Sequence, residues 1–173
     1  MTKFAAIQTV STPDVARNLA AAGRLVAQAA QAGAQWVALP EYFCLMGRRD
    51  DAKLDIAEAD GDGPIQRFLS DIAREHRITL IGGTLPIAAR TPGRVRNACC
   101  VYGPDGARLA RYDKIHLFAF DNGKEAYDEA RVLEPGDTPV ADSVSPKSMD
   151  SSGGAARLTA CGAATPATAA ALP

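Results

Sequence analysis

The chain has 173 residues, 47% hydrophobic and 23% charged, with a formal net charge of −1. These values predict one soluble globular domain with a sizeable core. The near-neutral charge gives no electrostatic case for nucleic acid or a membrane surface as a partner. No apolar stretch is long enough to span a bilayer, and residues 1–10 show no secretory signal pattern. We therefore expect a cytoplasmic protein with reduced thiols.

The N-terminal part of the chain alternates between strand and helix patterns. Residues 4–10, FAAIQTV, predict a buried strand. Residues 11–33 predict a helix, with Thr12 as its cap, Pro13 in its first turn and Gly33 at its end. Its apolar face recurs at every third or fourth position and comprises Val15, Leu19, Ala22, Val26 and Ala29.

The next segments continue this alternation and end in a hairpin. Residues 35–40, QWVALP, predict a second strand, and Pro64 opens a second helix after a polar stretch. Residues 78–86, ITLIGGTLP, predict a third strand. Residues 96–114 predict two antiparallel strands joined by a Gly-Pro-Asp-Gly turn. The inner face of the second helix comprises Ile65, Phe68, Leu69 and Ile72. The order β-α-β-α-β-β-β predicts a mixed α/β layered domain.

The composition changes after Val140. Residues 141–173 contain ten alanines, five serines, three glycines, three prolines and three threonines, and no aromatic residue or isoleucine. We therefore divide the chain into a domain of residues 1–140 and a tail of residues 141–173, which we expect to be disordered or read out of frame. Translating the coding DNA in all three frames tests the second alternative.

Glu41 follows the second predicted strand directly, in the sequence ALPEYF. The carboxyl ends of strands in α/β sheets are a common place for functional sites. The neighbouring aromatic residues Tyr42 and Phe43 would exclude water from the carboxylate, which suits a general base. A loop glutamate that caps the following segment is the alternative.

Lys114 lies in a second notable segment, RYDKIHLF, at residues 111–118. Burying an ammonium group among apolar and aromatic residues is costly unless it has a partner, and Glu41 is a candidate. A lysine held there could stabilise an oxyanion that develops on a substrate carbonyl. The alternative is an exposed edge-strand lysine whose stem covers apolar surface. His116 fits a structural role better than a catalytic one.

Together, ALPEYF and YDKIHLF resemble the carbon–nitrogen hydrolase (nitrilase) superfamily and, within it, the omega-amidase-like branch. The segments GDGP, ITLIGGTLP, RNACCVYGPDG and DEARVLEPGD are similar to that family's pattern in the same order. The resemblance covers roughly residues 3–140. Each motif alone is weak, but the two core motifs together are specific.

The resemblance implies a four-layer α-β-β-α sandwich, here incomplete because the second half is missing, and a Cys-Glu-Lys site. In this chain Glu41 matches the general base, Lys114 the oxyanion-stabilising lysine, and Glu129 the second glutamate that supports the lysine. The implied reaction is thiolate attack on a small amide, favoured over a nitrile, through a thioester. It needs no metal or organic cofactor. Members of the family form homo-oligomers, commonly through elements of the second half.

The nucleophile of the family has no matching stretch in this sequence. Cys161 is the one cysteine after Lys114, but the glycine and alanines that follow it do not match the family pattern. Cys44 is expected to be a packed thiol, and Cys99 and Cys100 to be strand residues. The favoured interpretation is a truncated and inactive hydrolase. The alternatives are a non-enzymatic subunit that completes a sandwich with another chain, and a short active amidase that uses Cys161.

Overall fold

The computed structural model describes residues 1–141, which form a mixed six-stranded sheet with helices on one face. The strands of this sheet are β1 (Phe4–Ala6), β2 (Trp36–Ala38), β3 (Thr79–Ile81), β4 (Leu85–Ala88), β5 (Val95–Tyr102) and β6 (Arg108–Asp113). The helices are α1 (Val15–Gln31), the short α2 (Ala52–Asp55) and α3 (Pro64–His76). A separate hairpin of β7 (Ala119–Asp121) and β8 (Ala126–Asp128) precedes a 3-10 turn, Glu129–Arg131.

The sheet combines a parallel part with an antiparallel part. Strands β1, β2 and β3 are parallel neighbours, with Val37 of β2 opposite Leu80 of β3. Strand β5 runs antiparallel to β3, β4 and β6. The predicted hairpin is confirmed as β5 and β6, which are joined by residues 103–107.

The hydrophobic core lies between the sheet and helices α1 and α3. Every second residue along the strands faces the helices, and Val37, Leu80 and Cys100 have no exposed surface there. The predicted apolar face of α1 is confirmed, because Ala22 and Val26 are fully buried and the other members pack against the same core. The inner face predicted for α3 is also in this core, with Phe68 only half-buried.

Two predictions about the N-terminal segment are wrong. The strand predicted over residues 4–10 is only three residues long, and most of it is exposed because it forms the edge of the sheet. Helix α1 is capped by Asp14 rather than Thr12, since the Asp14 carboxylate accepts a hydrogen bond from the Arg17 N–H at 3.0 Å. The Thr12 hydroxyl instead lies 2.9 Å from Oδ1 of the buried Asn18.

The third predicted strand is interrupted in its middle. Residues 78–86 contain β3 and the start of β4, which pair with different parts of the same strand, β5. Gly82 and Gly83 separate the two parts. Gly83 has φ +58°, and a Cβ atom there would lie 2.1 Å from the Pro40 carbonyl oxygen. The glycine therefore lets this bend contact the loop that carries Glu41.

The sheet face opposite the helices is covered less completely. Ala38, Ile81, Cys99 and Val101 lie on this face and are half-buried. Residues 142–173, including Cys161 and nearly all of the predicted tail, lie outside the described residues. Within residues 1–141 no helix has the length and apolar character needed to cross a membrane.

Candidate active site

Glu41 and Lys114 lie at the same end of the sheet, because the strands that precede them run in the same direction. Glu41 follows β2, and Lys114 follows β6 directly. Strand β6 is antiparallel to β5, which is antiparallel to β3, so the carboxyl ends of β2, β3 and β6 all lie at this end of the sheet. Glu129 reaches the same end of the sheet from the 3-10 turn after β8, because its backbone N–H donates to the Phe118 carbonyl at 3.0 Å.

Lys114 bridges the two glutamates. Its Nζ lies 3.1 Å from Oε1 of Glu41 and 2.9 Å from Oε2 of Glu129. The Lys114 side chain is 24% exposed, so it is not the solvated edge-strand lysine of the alternative interpretation. An ammonium group has three N–H donors, and two of them are used by these contacts. No contact within residues 1–141 uses the third, which can point toward a bound molecule.

Glu129 is held as a buried carboxylate. Its side chain is 4% exposed and accepts hydrogen bonds from the Phe118 N–H at 2.8 Å and the Tyr42 hydroxyl at 3.2 Å. Burial alone would raise the pKa of Glu129, but the Phe118 N–H and the Lys114 ammonium outweigh it and lower that pKa. Glu129 is therefore ionised and keeps a permanent negative charge beside the lysine.

The charge of Lys114 is fixed by the same contacts. Burial tends to lower the pKa of the Lys114 ammonium, but hydrogen bonds and charge from Glu129 and Glu41 raise it overall. Lys114 is therefore a cation at neutral pH. It cannot act as a base there, but it can attract negative charge that develops on a substrate oxygen.

Asn97 is a site residue that the sequence analysis did not single out. It lies on β5 and is 2% exposed, and its Nδ2 donates to Oε1 of Glu41 at 2.7 Å. Asn97 and Lys114 thus bind the same oxygen of Glu41. No described residue donates a hydrogen bond to Oε2, which leaves that oxygen free to accept a proton. Asparagine in a strand gives no sequence signal beyond its low preference for that position.

The expected exclusion of water from Glu41 by its aromatic neighbours is wrong for the described residues. The Glu41 side chain is 49% exposed. Phe43 turns into the core with no exposed surface, and Tyr42 turns toward Glu129. Sequence adjacency did not reveal these directions, because Tyr42 has a left-handed backbone with φ 52°.

The Tyr42 backbone is held in this unfavourable conformation by its neighbours. Its N–H donates to the Thr84 hydroxyl at 2.9 Å, and its own hydroxyl donates to Glu129. Burial, followed by the charges of Glu129 and Glu41, raises the pKa of the Tyr42 phenol, so it stays protonated and remains a donor. A non-glycine residue in such a conformation costs about 1–3 kcal/mol and is concentrated at functional sites.

The described cysteines are poor nucleophiles. Cys44 and Cys100 have no exposed surface, which confirms that Cys44 is a packed thiol, and burial raises the thiol pKa to about 12 and about 11 respectively. Cys99 is a strand residue on the same strand face as Asn97, and burial raises its pKa to about 12. No cysteine in residues 1–141 makes a hydrogen bond with Glu41 or Lys114. Cys161 lies outside the described residues, and His116 is exposed.

Comparison with known proteins places the chain in a family. The family model for carbon–nitrogen hydrolases matches residues 3–156, so the chain belongs to that family. Its described part is a portion of the nitrilase fold.

Curated relatives and solved structures agree with this assignment. The chain is 37% identical over 146 residues to a chloroplastic omega-amidase of Arabidopsis thaliana, covering 81% of this chain and 39% of the relative. It is 39% identical over 142 residues to the human omega-amidase NIT2, covering 80% and 50%. An amidase from Nesterenkonia sp. superposes with a TM-score of 0.66 and 26% identity over 83% of this chain and 51% of that one. The chain thus spans half or less of the length of these two curated relatives.

Proposed function

We propose that residues 1–141 carry the general base and the oxyanion-stabilising lysine of an amidase. The observation that carries this proposal is the position of Lys114 between two carboxylates, with one N–H left over. Glu129 holds the lysine in place. Oε1 of Glu41 is fixed by two donors, and its Oε2 faces no donor from the described residues.

These positions support separate roles for Glu41 and Lys114 in amide hydrolysis. A thiol gives its proton to Oε2 of Glu41, and the thiolate attacks the amide carbon. The free N–H of Lys114 binds the carbonyl oxygen as it becomes negatively charged. The protonated Glu41 then passes the proton to the leaving amine, which departs as ammonia, and a thioester remains. Glu41 next activates a water molecule that releases the carboxylic acid and restores the thiol.

The substrate class that we propose is a small amide, such as a monoamide of a dicarboxylic acid or a deaminated-glutathione-like amide. Its support is the similarity to omega-amidases from a plant and from human. A cysteine nucleophile is supported by a mutant of the amidase from Nesterenkonia sp. AN1, which shows Michael addition of acrylamide at the active site cysteine.

We further propose that the chain alone does not complete this reaction. The three described thiols are largely buried and their pKa values are raised by burial, so each is almost wholly protonated at neutral pH. A competent thiol would have to come from outside residues 1–141. We propose that it comes from outside these 173 residues, and Cys161 is the alternative.

The test is ammonia release from a dicarboxylic monoamide by the full chain and its Cys161→Ala and Glu41→Gln variants. We expect no release above the blank from any of them. Release that is lost in both variants would show a short active amidase that uses Cys161. Release that survives Cys161→Ala but not Glu41→Gln would mean that a described cysteine reacts, and would refute the proposal that an outside thiol is required.

A partner subunit is the second candidate function. The half-buried apolar face formed by Ala38, Ile81 and Val101 favours it, because a second sheet packed there would complete a sandwich. Light scattering of the purified chain is the test. A monomer at micromolar concentration that takes up no second chain when co-expressed with an omega-amidase C-terminal half would exclude it.

We also propose a cytoplasmic location, in keeping with the free thiols of Cys44, Cys99 and Cys100 among the described residues. Cell fractionation with a tagged full chain tests this, and recovery in a membrane or secreted fraction would refute it.

A further inference from the structure

Arg96 forms a partly buried ion cluster close to the candidate site. Its side chain is 18% exposed. Nη1 donates to Oδ2 of Asp113 at 3.0 Å, while Nη2 and Nε both donate to Oε1 of Glu134, at 2.6 and 3.1 Å. The Asp113 and Glu134 side chains are each 16% exposed. The planar guanidinium thus binds two carboxylates from different parts of the chain.

Each of these carboxylates is attached to a segment that positions one site residue. Asp113 directly precedes Lys114 at the end of β6. Glu134 follows the 3-10 turn that begins with Glu129, and its backbone N–H donates to the Val95 carbonyl at 2.9 Å. Arg96 therefore connects the segment of the lysine with the segment of its buried partner.

Backbone hydrogen bonds also join these two segments. The Lys114 carbonyl accepts one hydrogen bond from the Gly136 N–H at 2.9 Å, and its N–H donates to the Asn97 carbonyl at 3.0 Å. These bonds fix the main chain near Lys114. After the three-residue 3-10 turn, the Val132 carbonyl accepts a hydrogen bond from the Val95 N–H at 3.1 Å, so the main chain there is also paired with β5. The Glu134 carboxylate adds a side-chain tie to this pairing, since it binds Arg96 and accepts a hydrogen bond from the Thr91 N–H at 3.0 Å.

We propose that Arg96 is a positioning residue that sets the contact between Lys114 and Glu129. It touches neither side chain, and it acts through Asp113 on one and through Glu134 on the other. The inference rests on the proposed function only for the role given to Lys114. The effect of Arg96 on the Lys114–Glu129 contact does not depend on whether the chain hydrolyses an amide.

The test measures the rate at which an amine-acylating reagent modifies Lys114, by mass spectrometry at fixed pH on the full chain. Only the free amine reacts, so contacts with carboxylates slow the reaction. Arg96→Met should accelerate modification of Lys114 about tenfold, because a carboxylate held within 4 Å of an ammonium shifts its protonation by that order. Removing a nearby positive charge would by itself slow the reaction, so acceleration reports displaced carboxylates and not lost charge.

The matched control is Arg108→Met. Arg108 lies on the same β5–β6 hairpin as Arg96, and the substitution breaks its ion pair with Asp60. It should leave the Lys114 rate within about twofold of the unchanged protein. The exposed Lys124 in each sample is the internal standard for reagent concentration, since its rate should not change. Arg96→Lys keeps the charge but not the planar fork, and it should accelerate Lys114 less than Arg96→Met does.

An unchanged or slower Lys114 rate in Arg96→Met, with cooperative unfolding retained, overturns the proposal. If that variant does not fold, the Arg96→Lys rate decides in the same way. The measurement requires no hydrolysis. Absence of ammonia release therefore bears on the proposed function alone, and an unchanged labelling rate bears on Arg96 alone.

Discussion

Replacing Lys114 by Met tests how far the site is held together by its charges. The substitution keeps most of the side-chain volume and removes the cation from between Glu41 and Glu129. Glu129 is then a carboxylate that is 4% exposed and has no positive partner in the part of the chain that the structure describes. Glu41 is 49% exposed and can be solvated by water, so the cost falls on Glu129.

The expected loss of stability depends on the hydrogen bonds that Glu129 keeps in the variant. Removing one partner of a buried ion pair costs about 3–5 kcal/mol. Glu129 retains the Phe118 N–H and the Tyr42 hydroxyl, and Lys114 is itself 24% exposed. We therefore expect a loss of about 2–3 kcal/mol at pH 7, below the full range for a buried pair. Lys124→Met, the same change at an exposed position, should cost less than about 0.5 kcal/mol.

The pH dependence gives a second check with a defined sign. The folded-state pKa of Glu129 is lowered, so its contribution to stability is present above the unfolded value and lost as pH falls through the folded value. The folded-state pKa of Lys114 is raised, so its contribution is present below the unfolded value and lost as pH rises through the folded value. The difference between Lys114→Met and the unchanged protein should therefore be largest near neutral pH and shrink toward acid and alkaline pH.

Urea unfolding followed by Trp36 fluorescence is the assay, since Trp36 is the single tryptophan and is 5% exposed. A loss below about 0.5 kcal/mol at pH 7, equal to that of Lys124→Met, would refute the reasoning. So would a difference that does not change with pH.

Two further substitutions test the residues around this centre. Asn97→Asp replaces the donor to Glu41 by a second carboxylate at 2.7 Å. We expect the free energy of unfolding to fall by about 2–4 kcal/mol at pH 7 and to recover as acid protonates the new group. Equal stability of the two proteins at pH 7 would contradict the hydrogen bond. Gly83→Ala should cost at least about 2 kcal/mol more than Gly93→Ala, because both glycines have positive φ but only a Cβ at Gly83 would clash with backbone. Equal losses in urea unfolding would show that the contact is not tight.

Much of the helix-covered side of the fold could be predicted from the sequence. The apolar positions of α1 recur with the helical period, and Pro64 marks the start of α3, so both helices and their buried faces were found. The β5–β6 hairpin was found from its turn residues. These signals are local, and local signals are what periodicity and turn chemistry report.

The errors arise where distant contacts decide the structure. The edge position of β1 and the interruption at Gly82 and Gly83 depend on which strands become neighbours, and one sequence does not show this. The cap of α3, for which the sequence analysis made no prediction, also depends on a residue outside the helix. Glu58 accepts hydrogen bonds from the backbone N–H groups of Ile65 and Gln66, although it lies outside the usual capping position.

The candidate site was predicted in part. Glu41, Lys114 and Glu129 were named from two short motifs and a family resemblance, and the structure brings these three side chains together. Asn97 and Arg96 were missed, because a strand asparagine and one arginine among many have no local signature. The catalytic roles of the three predicted residues stay predictions.

The most direct test of the account is an NMR titration of the Lys114 side chain, with isotope-labelled lysine, in the unchanged protein and in Glu129→Gln. We predict a Lys114 pKa above the ordinary value for lysine, which falls when Glu129 loses its charge. A Lys114 pKa at or below the ordinary value in the unchanged protein would contradict the bridge between Glu41 and Glu129. The same pKa in both proteins would remove Glu129 from the site.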